Sequence, residues 1–308
     1  MDSRVTTAGV ADARTPWRRL VRIVSLVRYR FFLYAGLLPY LLGAAWAYAI
    51  GGAFNATLFA CGLAGVVLSV IGVEAFNEYF DARMGTDRVF NPVDVPPIAQ
   101  AVFWIGTAAF AAALAVGIYL AMRIGWPILA FALAGGAAAI FYEAPPIRWS
   151  YRGLGEVVIA LSYGPWMVLG SLYLHSHSAS WSAFAASFVP ALFIMALAVV
   201  NAIPDFHQDR LVGKRNLVVR LGRARAVYLY LGLACGGFLL VGFGVAAGAF
   251  PPSALAVLLA VPLVAASGRC ALRAHSTPRD FQPAMRSMVL AYLVATFFFT
   301  AAILGQAF

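Results

Sequence analysis

Six runs without Asp, Glu, Lys or Arg divide the chain: residues 31–73, 95–122, 124–142, 157–204, 226–268 and 287–308. A helix that crosses a bilayer needs about 20 consecutive apolar residues. The first, fourth and fifth runs are long enough for two spans each, and each holds a turn signal where the two would meet. The signals are Gly51-Gly-Ala-Phe-Asn55, His175-Ser-His-Ser-Ala-Ser180 and Gly248-Ala-Phe-Pro-Pro-Ser253. The other three runs supply one span each. The pattern predicts helices over 31–50, 56–77, 101–122, 125–142, 155–174, 181–203, 226–249, 252–267 and 287–306. The expected fold is all-α, a polytopic membrane bundle of about nine transmembrane helices. Residues 31–308 form one membrane domain in this reading, with no soluble insertion between spans.

Composition agrees: 63% hydrophobic and 11% charged residues, with a mean hydropathy of +0.85, exclude an ordinary soluble domain. The charges that remain are ordered. Of 22 Lys and Arg, all but Arg123 fall before the first span or on alternate loops after it. Basic loops stay on the cytoplasmic side, so the expected topology in the cell membrane has the amino terminus cytoplasmic and the carboxyl terminus external. The net charge of +10 then reflects topology and anionic lipid headgroups, not nucleic acid. Residues 1–30 are read as a cytoplasmic segment, in which Trp17–Arg28 mixes basic and apolar positions as an interfacial helix does. Cys61, Cys235 and Cys270 show no pairing pattern and read as apolar packing. His175 and His177 read as an ordinary external loop.

Acidic residues appear where two spans end. In Asn201-Ala-Ile-Pro-Asp205-Phe-His-Gln-Asp209, the amide and both carboxylates span only 80° of an ideal helix and share a face, although Pro204 loosens that geometry. Glu74, Asn77, Glu78 and Asp81 share a face in the same way, and Asp87 follows Gly85, where the helix is expected to end. Both stretches fall on the expected cytoplasmic side. Carboxylates at a helix carboxyl end oppose the macrodipole by up to about 1 kcal/mol each. A bound cation removes that penalty, and Asp and Asn oxygens without Cys or grouped His favour a hard ion such as Mg2+. Magnesium shares its coordination sphere with substrate phosphates, so the implied substrate is a phosphate or diphosphate. Lys214, Arg215, Arg148, Arg152, Arg83 and Arg88 lie on the same side, as an anion requires. Tyr142, Tyr79 and Tyr163 are candidates to line a cavity.

Asn77-Glu-Tyr-Phe-Asp81 with Asp87 resembles the first Asp-rich motif of the UbiA superfamily of intramembrane prenyltransferases. Asn201, Asp205 and Asp209, continuing into Gly213-Lys214-Arg-Asn-Leu and Leu221-Gly222, resemble the second. Ala144-Pro-Pro-Ile-Arg148 with Gly153-Leu-Gly-Glu156 is similar to that family's loop after the fourth helix. The Gly85-Thr-Asp87 ending is closest to the menaquinone-type branch, which alkylates dihydroxynaphthoate, although Glu78 and Asn216 stand where Asp and Thr are usual. The resemblance implies a central cavity open to lipid. It implies Mg2+ ions, two of them bridging to the diphosphate, held by Asn77, Asp81 and Asp87 on one side and Asn201, Asp205 and Asp209 on the other. Asp81, Asp205, Asp209 and Lys214 would carry catalysis, and Arg148, Lys214, Arg88, Arg152 and Tyr142 would bind the diphosphate. The partners implied are a prenyl diphosphate donor, a small aromatic acceptor of the quinone-precursor type and the lipid bilayer. Two alternatives remain at this point: a cyclase that ionises the same donor without an acceptor, and a non-catalytic carrier of a phosphorylated lipid.

Overall fold

Every regular element among the described residues of the computed structural model is helical; those residues are 30–51, 54–84 and 100–307. The elements follow the chain as α1 (Arg30–Ala49), α2 (Ala56–Met84), α3 (Gln100–Ile124), α4 (Trp126–Ile140) and the single turn α5 (Trp149–Arg152). Next come α6 (Gly155–Ser176), α7 (Trp181–Ala202), and two short helices, α8 (Phe206–Leu211) and α9 (Leu217–Leu221). The chain then runs through α10 (Arg223–Ala246), α11 (Pro252–Ala274) and α12 (Pro278–Leu304). Seven of these are long and apolar enough to cross a membrane, and Ala35–Ala49 and Trp126–Ile140 are shorter apolar helices, so the expected count of about nine is met only by including both classes.

The helices overrun their expected ends on the charged side. α2 continues past 77 to Met84, α11 past 267 to Ala274, and α12 begins at Pro278 instead of 287. Loss of apolar character marks where the bilayer core ends. The intrahelical hydrogen bonds continue through it, because the backbone gains them in headgroups as well as in hydrocarbon. Asn77 and Asp81 therefore both lie on α2 itself.

The second acidic stretch departs from its expectation. Asn201, Asp205 and Asp209 do not share one helix: α7 stops at Ala202, and α8 begins after Asp205. Pro204 has no amide hydrogen to donate and its ring crowds the preceding turn, so the ladder breaks there. The chain re-enters helix at once, with the Asp209 amide donating to the Asp205 carbonyl (2.8 Å).

α7 forms the axis of the densest packing. Phe193, Ile194, Leu197 and Val200 are fully or almost fully buried against residues of α1, α6, α10 and α12. α6 bends at Ser162–Trp166, where Gly164 leaves helical geometry ahead of Pro165. A side chain at Gly164 would sit 2.8 Å from the Ser187 carbonyl, so the bend brings α6 against the α7 backbone. α2, α3 and α4 pack mainly among themselves and on α6, leaving a cavity between them.

Candidate active site

Three segments meet beside that cavity, which Asn77 and Tyr142 line. α2 delivers Asn77, Glu78 and Asp81; the turn after α4 delivers Tyr142 and Glu143; the loop between α8 and α9 delivers Lys214. Lys214 joins them. Its Nζ donates to Asp81 Oδ1 at 2.9 Å and to Glu143 Oε1 at 3.1 Å, and it lies 5.6 Å from the Tyr151 ring centroid.

Local sequence explains the loop that carries it. Gly213 adopts a left-handed φ of 82°, which ends α8, and the Lys214 amide caps it by donating to the Asp209 carbonyl (2.8 Å). Asn216 caps the next helix: its Oδ1 accepts the Val219 amide at 2.8 Å. The same side chain donates through Nδ2 to Asp209 Oδ2 at 2.6 Å, which fixes the buried carboxylate. Glu156, at the start of α6, accepts the Leu217 amide at 3.0 Å and ties that helix to α9. On the other wall, the Trp149 and Ser150 amides donate to the Phe141 and Tyr142 carbonyls (3.0 and 3.1 Å), so the backbone just before Glu143 is pinned.

The electrostatics follow from burial. Burial opposes the Lys214 charge, but the carboxylates of Glu143, Asp81 and Asp209 outweigh it and hold the ammonium above its ordinary pKa. Burial pushes Asp209 upward against the pull of Lys214 and the Asn216 hydrogen bond. Glu143 is likewise raised by burial and opposed by Lys214. Burial lifts the Tyr151 hydroxyl to about 12. Three carboxylates around one ammonium leave a negative surplus that a cation would relieve.

The donor chemistry fits a hard cation. The Asn77 Oδ1 is buried without a hydrogen-bond partner among the described residues, beside the cavity that Asn77 helps to line. Even so, no three His, Cys, Asp or Glu among the described residues form a group that could hold a metal ion, so those groups alone do not close a coordination shell. Of the other expected ligands, Asn201 is half-buried on the last turn of α7, Asp205 is exposed, and Asp87 lies outside the described residues. Arg88 and the expected helix over Trp17–Arg28 also lie outside them. Arg148 has a left-handed φ of 54° and holds its guanidinium 5.4 Å from the Tyr151 ring. Arg152 is exposed and donates to the Pro146 carbonyl at 3.2 Å. Tyr142 and Tyr163 line the cavity, whereas Tyr79 packs on Phe80 and Phe103 and accepts from Arg83 at 2.6 Å. His175 stacks on Phe54 and Phe59, away from the acidic residues.

Glu143 and Asn216 carry contacts that their sequence positions did not announce. Glu143 follows an uncharged run directly and looks like any residue marking a membrane boundary. Asn216 had a usable signal, since Asn immediately before an apolar Leu-Val-Val run is a helix-start pattern. Beyond the polar end, the cavity holds about 600 Å³ and is walled by Gly, Ala, Val, Leu and Phe of α2, α3, α4 and α6.

Residues 36–293 match the UbiA prenyltransferase family. The chain belongs to that family. It is 30% identical over 246 residues to the 1,4-dihydroxy-2-naphthoate octaprenyltransferase of Mycobacterium tuberculosis, covering 75% of this chain and 80% of that protein. It is 26% identical over 193 residues to the 2-carboxy-1,4-naphthoquinone phytyltransferase of Synechocystis, a match that covers 60% of this chain and 62% of that relative. Among solved structures, a UbiA homolog from Aeropyrum pernix matches 92% of this chain and 100% of its own with a TM-score of 0.66 at 18% identity. A UbiA homolog from Archaeoglobus fulgidus bound to GPP and Mg2+ matches 89% of this chain and 99% of its own, with a TM-score of 0.51 at 15% identity. At those identities the structural likeness establishes the family fold in a membrane-helix bundle.

Proposed function

We propose that this UbiA-family protein transfers a prenyl chain, within the membrane, from a prenyl diphosphate to a carbon of a naphthoate-type aromatic acceptor. One observation carries the reading: an ammonium is held between carboxylates from separate segments, and Asn77, one turn from Asp81, and Tyr142, beside Glu143, line a large apolar cavity. A diphosphate suits the polar end and an isoprenoid tail suits the cavity, so the two together match an amphipathic donor. The naming of the Mycobacterium and Synechocystis relatives supports the naphthoate class of acceptor.

Asn77, Asp81 and Asp87 on one flank, and Asn201, Asp205 and Asp209 on the other, would hold Mg2+. Bound there, the ion would neutralise charge that builds on the leaving diphosphate. Lys214 and Arg148 bind the same oxygens from the protein side, joined by Tyr142 from the cavity wall. The C1–O bond of the donor breaks, C1 bonds to the acceptor carbon, and the acceptor releases a proton or its carboxyl group. Apolar walls keep water from the reacting carbon until that bond has formed. The basic-residue pattern supports a cytoplasmic polar end and amino terminus. The deciding experiment incubates purified protein with Mg2+, geranylgeranyl diphosphate and 1,4-dihydroxy-2-naphthoate, with mass spectrometry of the products. A prenylated naphthoid is expected; a cyclic hydrocarbon formed without acceptor would replace this reading with the cyclase.

A further inference from the structure

Lys214 is the only lysine in the chain, against 21 arginines. An ammonium presents three separately directed donors, whereas a guanidinium presents a planar fork that fits one carboxylate. Two of the Lys214 donors are engaged, and the two acceptors differ sharply in exposure. The Asp81 side chain is 29% exposed and the Glu143 side chain only 4%. The wet carboxylate can change partners at little loss, because water and ions reach it. The dry one cannot release Lys214 without leaving a bare buried charge. Glu143 already keeps Oε2 buried without a hydrogen bond among the described residues, so Lys214 is its principal compensation.

We propose that Glu143 is a positioning residue: it anchors Lys214 from the dry side, so that Nζ stays at the diphosphate position when Asp81 exchanges the ammonium for a cation. The proposal rests on the prenyl-transfer reading above. Asp81 then serves two partners in turn, the ammonium before loading and the cation after it. Glu143 serves one throughout. Without this anchor, the long lysine stem would follow whichever carboxylate or solvent position was open, and the donor would meet an ammonium that has first to be ordered.

The test combines turnover with chemical labelling, since a single lysine makes its own reactivity readable. Glu143→Gln keeps volume and an acceptor while removing the charge. Loss of one charge-assisted hydrogen bond predicts about a tenfold to hundredfold fall in kcat/KM for the prenyl diphosphate, with the acceptor KM unchanged. Acylation of Lys214 by an amine-reactive reagent, followed by peptide mass spectrometry on the folded protein, is expected to quicken by about tenfold or more in E143Q. A cycle with Lys214→Met separates positioning from damage to the fold. If Glu143 acts through Lys214, E143Q takes nothing further from the K214M protein. An equal loss in both backgrounds overturns the proposal, as does E143Q matching the wild type in labelling and turnover. If the wild type transfers no prenyl group while labelling still responds to E143Q, the transfer reading fails and the anchor stands. If the wild type transfers and E143Q changes neither measure, the anchor fails and the transfer reading stands.

Discussion

Buried residues make up 67% of the apolar stretch of α7 but only 11% of that of α2 and 22% of that of α3. The contrast is one of side-chain size and shape at the helix faces. Phe193 fits against Gly237 and stands edge-on to Phe238 at 5.1 Å, and Tyr292 on α12 donates to the Ala35 carbonyl of α1 at 2.6 Å. In hydrocarbon, where lipid tails are as apolar as Leu, such interlocking is what drives helices together. α2, α3 and α4 instead line the cavity, and around Gly135 and Gly136 of α4 nothing lies within 4 Å of an added Cβ. One half of the bundle is a scaffold and the other a container. Lys214, carried by the loop that leaves the scaffold helix α7, reaches across to Asp81 on the container helix α2.

Cutting that bridge gives the largest expected effect. Asp81→Asn keeps the shape and removes the charge, and turnover should fall by about 10²–10³-fold, the usual loss when one group stabilising developing charge is removed. Stability should move by no more than about 1 kcal/mol, because Asp81 is partly exposed and Glu143 still pairs the Lys214 ammonium. Excess chelator should abolish turnover in the wild type. Steady-state kinetics beside thermal unfolding in detergent would decide; near-normal turnover in both cases would remove the metal-assisted site.

Packing density predicts the next effect. Phe193→Ala, in the scaffold, should cost about 3–5 kcal/mol of stability, since its side chain is fully buried. Phe131→Ala, on the cavity wall, should cost about 1 kcal/mol, because its ring already borders empty space. Equal losses in denaturant titrations would erase the distinction between the two halves.

The scaffold was easier to read from sequence than the container. Uncharged run lengths located the membrane helices because hydrocarbon imposes one strong requirement on every residue of a span. The first acidic stretch was legible for a related reason: Asn77 and Asp81 sit on an unbroken helix, where spacing dictates direction. The second was legible in composition but not in geometry, since Pro204 turns the chain between Asn201 and Asp209. Lys214 was identifiable as a cation near the acids. Glu143 as its partner was not, because a contact 71 positions apart depends on how two loops meet. The cavity was equally hidden, for a glycine in a span looks the same whether it admits a neighbouring helix or leaves room for a ligand.

Two glycines give the finest resolution of that last ambiguity. A Cβ on Gly43 of α1 would lie 2.6 Å from the Ser171 Cβ and 2.9 Å from the Leu172 nitrogen, and would also strike the Val168 carbonyl. Backbone cannot swing aside as a side chain can, so Gly43→Ala should cost about 1–3 kcal/mol. Around Gly136 of α4 nothing lies within 4 Å of the added carbon. Its backbone is helical, and Ala there removes the entropic penalty of glycine, so Gly136→Ala should gain about 0.5–1 kcal/mol. The opposite signs test the two halves with one methyl group each. Extending the second substitution tests the cavity as a donor compartment: Gly136→Leu adds volume to a wall residue, so long prenyl diphosphates should lose turnover while the shortest retain it. Competition between short and long donors in one reaction, read by product mass, would measure this. A ratio unchanged from the wild type would mean that the prenyl chain runs elsewhere, since no chain threaded along α4 could ignore a side chain placed in its path.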